Sequence, residues 1–246
     1  MRGGVPTPSR PLRVLELFSG TRSVGEAFER RGHEVCSVDW DRQFGADWYV
    51  DIESVRPQDV MRRFGRPDVI WASPDCTTFS VAAISSHRSL DENLGGGIPK
   101  TPYAKKCDRV DLNMVRLICA LRPTAWFIEN PRGMMRKMPW MQWAPRYTVT
   151  YCQYTRSLPP ESRRMKPTDI WTNVPNPRFR PMCKNGDPCH ARAPRGARTG
   201  TQGLGKVDRS RIPDELCDHI VRISEDYVAR VEMANEYLEE SGLEPI

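Results

Sequence analysis

The sequence predicts an α/β protein built on a mostly parallel sheet with helices on both faces. Three observations lead there. Short apolar runs recur through residues 12–174, each run ends in a turn or an acidic residue, and stretches with apolar positions at three- and four-residue steps separate them. The first run, 12–17 (LRVLEL), stops at Phe18-Ser19-Gly20, and a helical pattern follows from Val24 to Arg31. A second strand, 34–38, ends in Asp39, and an amphipathic stretch lies near 57–64. The third strand, 68–72 (DVIWA), runs into Ser73-Pro74-Asp75-Cys76. A helix near 108–121 leads to strand 125–129 (AWFIE), and strands are expected at 147–151 and 169–174. Residues 1–11 read as a disordered basic tail. Residues 175–211 are rich in Pro, Gly, Arg and Asn without sustained periodicity, and predict a small irregular basic lobe. After Pro213, the positions Leu216, Ile220, Ile223, Tyr227, Val231, Ala234 and Leu238 mark one long amphipathic helix, and residues 212–246 are expected to be a C-terminal helix packing on the main domain.

Composition narrows the function. A chain of 246 residues holds one full α/β domain and a small appendage. No apolar run approaches the roughly 20 residues of a membrane span, and the basic start lacks the apolar core of a secretory signal, so a cytoplasmic protein is expected. The eight cysteines are scattered and read as reduced thiols. The net charge of +6 favours a polyanionic partner. A monomer is expected.

In a parallel sheet, ligands bind beyond the carboxyl ends of the strands, where glycine allows close backbone approach. Phe18, Ser19, Gly20, Thr21, Arg22, Ser23 and Gly25 occupy that place after the first strand. Asp39, ending the second, suits ribose hydroxyls, and Trp40 offers a ring face to an adenine. Asp51-Ile52 follow at a distance suited to the base edge. A glycine turn alone is a weak signal, and the ordered series strengthens it.

Carbon 5 of cytosine is a poor nucleophile until another nucleophile adds at carbon 6. That chemistry needs a thiolate, a carboxyl near ring nitrogen 3 and a cation near the ring oxygen. The run Ser73-Pro74-Asp75-Cys76-Thr77-Thr78-Phe79-Ser80 resembles the Pro-Cys loop of DNA cytosine-5 methyltransferases. Phe127-Ile128-Glu129-Asn130-Pro131 is similar to their Glu-Asn motif, and Gln153 with Arg164-x-Lys166 to their Gln-Arg-Arg motif. Together with the glycine turn, these cover residues 12–174. Lys166-Pro167-Thr168-Asp169-Ile170-Trp171 and a Cys/His-bearing insert resemble the short phage-type branch in particular.

The resemblance implies a Rossmann-like methyltransferase fold with a seven-stranded sheet and a very small target-recognition lobe. It implies S-adenosylmethionine as cofactor, with Pro74 among its contacts, and double-stranded DNA with a flipped cytosine as substrate. By it, Cys76 is the nucleophile, Glu129 the proton donor to the ring, and Arg164 or Lys166 the oxyanion partner. Residues 81–107, with Ser85, Ser86, His87, Arg88 and Gly95-Gly96-Gly97, are expected to close over the base as a mobile loop. Thr78, Ser80, His87, Arg88, Arg192, Arg195 and Arg198, with Lys206, are candidate nucleic-acid contacts.

Departures from the pattern raise further expectations. Arg22 stands where the family turn usually has a small residue. A salt bridge or a solvent-facing position is its plain role, and a sharper one is to meet the carboxylate of carboxy-S-adenosylmethionine, giving carboxymethyl transfer. The reduced lobe implies a short recognition sequence, and no Asn-rich final cofactor motif is recognisable. The Cys183–Cys189 spacing is wider than the usual zinc pair, so no metal is expected; were one bound, Cys183, Cys189 and His190 are the candidates, with Cys217 a remote fourth ligand. Action on RNA and a non-catalytic nucleic-acid-binding role are the alternatives to a DNA enzyme.

Overall fold

The computed structural model describes residues 6–90, 97–194 and 201–245. Its first strand, β1 (Arg13–Leu17), leads through the Phe18–Arg22 turn into helix α1 (Ser23–Arg30). Next come β2 (Glu34–Asp39), the two-residue β3 (Trp48–Tyr49), α2 (Pro57–Arg63) and β4 (Val69–Ala72). A one-turn helix α3 (Ile84–His87) and a small hairpin of β5 (Arg88–Leu90) and β6 (Gly97–Pro99) precede α4 (Pro102–Leu121). Strands β7 (Ala125–Pro131), β8 (Arg146–Thr150) and β9 (Pro167–Thr172) follow, then α5 (Lys206–Ser210) and the long α6 (Asp214–Glu240).

Among the described residues the main sheet has seven strands in the order β3-β2-β1-β4-β7-β9-β8. Only β9 runs against its neighbours. The apolar continuity of β4 and β7 has a simple cause, because both sheet faces are covered. On one face α2 and α4 contribute Val60, Met114, Leu117 and Ile118 to a core with Leu15, Leu17 and Ile70. On the other, α1 and α6 bring Phe28, Leu216, Ile220 and Val221 against Val14, Trp71 and Phe127. This is the expected doubly wound fold, and chain order reverses between β1 and β4.

Register does the positioning. Leu17 pairs with both Val38 and Ala72, and Ala72 pairs with Ile128. The segments leaving β1, β2 and β4 therefore start in one row, beside Glu129 and Asn130 on β7.

Two expectations need correction. Residues 81–107 do not form a long irregular loop: α3, the hairpin and the first turn of α4 occupy the described part. Pro102 in the first turn and the Thr101 hydroxyl, which accepts the Ala104 N–H, start α4 well ahead of the expected position. The apolar side of α6 is fully buried only as far as Val228 and Ala229, and the later stripe positions Val231, Ala234 and Leu238 are half-buried.

Glu16 on β1 is buried beneath α1, accepts the Gly25 N–H at 2.8 Å, and leaves Oε2 without a partner. Burial pushes its carboxyl up to about 8. A carboxyl raised by folding stabilises in acid, and that contribution is lost as pH rises through the folded value. Glu16→Gln keeps an acceptor for Gly25 and removes the ionisation. Its gain in melting temperature over wild type is expected to grow from about pH 5 to about pH 8, and a gap independent of pH would contradict this.

Candidate active site

The aligned strand ends bring three groups together. Cys76 sits in the turn after β4, Glu129 near the end of β7, and Lys166 just before β9. Glu129 and Lys166 act on each other and both act on Cys76 electrostatically. Burial pushes the Cys76 thiol up to about 11, the charges of Glu129 and Asp75 push the same way, and Lys166 opposes them. Burial also raises Glu129, against Lys166 and against hydrogen bonds from Tyr151 and Ser73. Lys166 is lowered by burial, with Glu129 and Cys76 favouring its charged form. When Glu129 holds a proton, the larger of the two charges that keep Cys76 protonated disappears, and Lys166 is left opposing burial and Asp75. The same state presents an acid ready to donate, so the two needs of the site coincide.

Each member is held in place. The Tyr151 hydroxyl donates to Glu129 Oε1 at 3.0 Å. Lys166 donates from Nζ to the Arg209 carbonyl at 2.6 Å, and lies 4.4 Å from the centre of the Tyr151 ring. Its backbone is in the left-handed region at φ 27, a strained conformation for a lysine before a proline. Asn130 donates to the Pro74 carbonyl at 2.9 Å, tying β7 to the cysteine turn. Asp75 accepts the Thr77 N–H and the Tyr103 hydroxyl. Met134 N–H reaches Phe79 O at 2.8 Å, and a Cβ on Gly133 would stand 2.3 Å from that oxygen. Gly133→Ala is therefore expected to displace the cysteine turn and cut activity at least about tenfold, with little loss of melting temperature; unchanged activity would contradict it.

Arg88 and Thr78 are not nucleic-acid contacts in this structure, which corrects the sequence expectation. The Arg88 side chain is fully buried and pairs with Asp108 at 2.7 Å. It also donates to Thr78 O at 3.0 Å and Thr78 Oγ1 at 2.8 Å, and lies 4.1 Å from the Phe79 ring centre. It clamps the turn that carries Cys76. Arg88→Ala leaves Asp108 and the Thr78 carbonyl unpaired, so a loss of about 3 kcal/mol in denaturant unfolding is expected, and a change near zero would contradict the clamp.

The remaining candidates divide by surroundings. Ser80 Oγ accepts the Ala82 N–H, and His87 meets Thr101 at 3.1 Å. Arg192 is exposed, whereas Arg195 and Arg198 lie outside the described residues, as do Gly95 and Gly96. The Arg164 guanidinium is taken up by the carbonyls of Gln202, Glu161 and Arg163. Of the two proposed cations, the structure thus brings only Lys166 to Cys76 and Glu129.

At the neighbouring corner, Gly20 N–H donates to Asp39 Oδ2 at 2.9 Å, joining the glycine turn to the end of β2. Phe18, Gly20 and Arg22 all have positive φ, and this winds the turn tightly. Trp40 beside Asp39 is 72% exposed, an open ring face. Ser19 Oγ is buried without a partner. Asp39 also accepts the Asp41 N–H and retains lone pairs for hydroxyls. Thr21 and Ser23 hydroxyls bond each other at 2.8 Å. These features suit an adenosyl ligand. Asp51 pairs with Lys106 at 2.7 Å, and the Ile52 side chain belongs to the core, with its carbonyl held by Asn113. Arg22 pairs with Glu29 at 2.6 Å and lies 3.6 Å from Asp47, its plain role.

The Cys/His insert differs from expectation in its fourth member. Cys183, Cys189 and His190 gather with Cys152, whereas Cys217 is buried elsewhere and points at the Ile212 carbonyl. Asn130, Gly133, Tyr151 and Cys152 were not singled out from sequence. The Glu-Asn-Pro run carried a signal for Asn130, and the others depend on contacts between distant segments.

Comparison with known proteins adds one decisive relative. A Frog virus 3 (isolate Goorha) protein named "Probable DNA (cytosine-5)-methyltransferase" is 30% identical over 175 residues, spanning 66% of this chain and 71% of that protein. The chain belongs to the DNA cytosine-5 methyltransferase family. No family model matches it. Among solved structures, the methyltransferase EhMeth of Entamoeba histolytica aligns at 15% identity and TM-score 0.48, over 71% of this chain and 57% of its own. The S. pombe Dnmt2 methyltransferase aligns at 16% identity and TM-score 0.41, over 65% and 49%. The chain spans about half the length of these two structures. This family member has no described helix long and apolar enough to cross a membrane.

Proposed function

We propose that the chain transfers a methyl group from S-adenosylmethionine to carbon 5 of a cytosine in DNA, through a transient bond between Cys76 and carbon 6. The convergence of Cys76, Glu129 and Lys166 beside the Gly20–Asp39–Trp40 corner carries this reading. Bound there, the cofactor supplies an electrophilic methyl group on a sulfonium.

The chain's own residues do the rest. The Cys76 sulfur adds to carbon 6 while Glu129 gives its proton to ring nitrogen 3, so negative charge does not accumulate on the ring. Lys166 steadies the developing charge, and Tyr151 fixes the Glu129 carboxyl that performs the transfer. After carbon 5 has taken the methyl group, its hydrogen leaves as a proton to solvent water, the Cys76 bond breaks with the sulfur keeping the electron pair, and ring nitrogen 3 returns its proton to Glu129, which restores the aromatic ring. Reaching both faces of the base requires it to leave the stack. Asp39 and Trp40 are assigned to the ribose and adenine, with Ser19 and Gly20 at the cofactor's tail. Arg192 and the +6 charge favour phosphate contacts around a small lobe, and a short recognition sequence.

The test is incubation with DNA or RNA and either S-adenosylmethionine or its carboxylated analogue, followed by digestion and mass analysis of nucleosides. The expected product is 5-methyldeoxycytidine. Adenine adducts alone would overturn the reading, a carboxymethyl product would overturn the donor, and modified RNA without modified DNA would overturn the substrate.

A further inference from the structure

The geometry points to a structural zinc site of three cysteines and one histidine, formed by Cys152, Cys183, Cys189 and His190, that fastens the irregular insert to the edge of the sheet. Cys152 lies in the turn Tyr151–Tyr154 that follows β8, and the other three lie in the insert after β9. The four donor atoms all lie within 4.8 Å of one another. Sulfur to sulfur, Cys152 and Cys183 are 2.9 Å apart, and Cys189 and Cys152 3.9 Å. His190 Nδ1 stands 3.3 Å from the Cys189 sulfur and 3.6 Å from that of Cys183. Tetrahedral zinc bound to sulfur and imidazole separates its ligand atoms by roughly 3.5–3.8 Å, so small shifts complete the site.

Two further observations favour an ion over idle thiols. Between Pro181 and His190 the only buried side chains are Cys183 and His190, so this segment has no apolar core to hold it. The surroundings also prepare the sulfurs as acceptors: Gln153 Nε2 donates to Cys189 at 3.5 Å. His190 Nε2 is buried without a partner, so the ring's polar contacts are the two sulfurs. Three thiolates and an imidazole are a soft set that selects zinc over magnesium or calcium. Four protein ligands leave no open position, which assigns a structural and not a hydrolytic ion. The site also anchors the turn whose Tyr151 bonds Glu129.

The test needs no activity measurement. Protein purified under mild reduction is expected to carry one zinc per chain by elemental analysis. Cys189→Ser, at the half-buried ligand, is expected to lower that occupancy at least about tenfold, while Cys217→Ser keeps it. Replacing zinc by cobalt in wild-type protein is expected to give the intense visible bands of a tetrahedral sulfur-rich site, a readout independent of any variant's folding. Stripping the ion with chelator is expected to expose residues 181–194 to protease. Full-length protein with under about a tenth of a zinc per chain, no such cobalt bands, or a Cys152–Cys183 disulfide in mass analysis would overturn the proposal.

Discussion

Replacing Cys76 with alanine is expected to lower methyl transfer by about 10⁴-fold or more, because no other group in the site can add to carbon 6. Affinity for DNA is expected to stay within about threefold, since the proposed binding draws on phosphate contacts and not on this thiol. Transfer of labelled methyl groups and fluorescence anisotropy at fixed salt separate the two. Retained transfer in Cys76→Ala would show that the chemistry does not use this sulfur. Loss of binding in step with transfer would show that the cysteine turn is structural. Arg88, Asn130 and Gly133 all grip this turn, so melting temperature must be compared as well.

Glu129→Gln is expected to move two readouts in opposite directions. Transfer falls by about 10²–10⁴-fold, since glutamine cannot give its proton to ring nitrogen 3. Alkylation of Cys76 by iodoacetamide becomes faster over the pH range in which the wild-type Glu129 carboxylate is ionised. Glu129 is the charge that, after burial itself, most raises the thiol above its ordinary value, and removing it enlarges the thiolate fraction. In wild type, with the thiol pushed up to about 11, the alkylation rate climbs with pH through the whole range from neutral to mildly alkaline. A variant that slows both alkylation and transfer would indicate a disturbed turn instead of a missing acid. The Tyr151 hydrogen bond is retained in the variant, because the glutamine oxygen still accepts it.

The sequence disclosed those parts of the fold whose signal is local. Strands β1, β2, β4 and β7 are apolar runs with turn residues at their ends, and α1 and α2 carry helical periodicity, so each could be placed to within a residue or two; α6 begins where its periodicity does but ends at Glu240, short of the expected 246. The row of Gly20, Asp39, Cys76 and Glu129 was legible for the same reason, since each sits at or next to the end of a strand that parallel pairing aligns. Contacts between distant segments were not legible. Arg88 looks like a surface cation in a polar stretch, and only the approach of Asp108 from α4 shows that its charge is matched and buried. The hairpin of β5 and β6 is too short to carry an alternating pattern. Lys166 and Arg164 are equivalent by composition, and only the fold turns one toward Glu129 and the other toward the carbonyls of the insert. Cys217 was matched to Cys183 and Cys189 by residue type, whereas the chain brings Cys152 to them from across the β8–β9 connection.

The central claim, a covalent bond from Cys76 to the target cytosine, is tested most directly by trapping it. A duplex in which every cytosine carries fluorine at carbon 5 prevents the final loss of a proton, so the enzyme stays attached after methyl transfer, whatever its recognition sequence. With S-adenosylmethionine present, peptide mapping of the trapped complex is expected to place the nucleotide on Cys76. An adduct on any of the other seven cysteines, or methyl transfer to ordinary DNA with no trapped complex on the fluorinated duplex, would contradict the account.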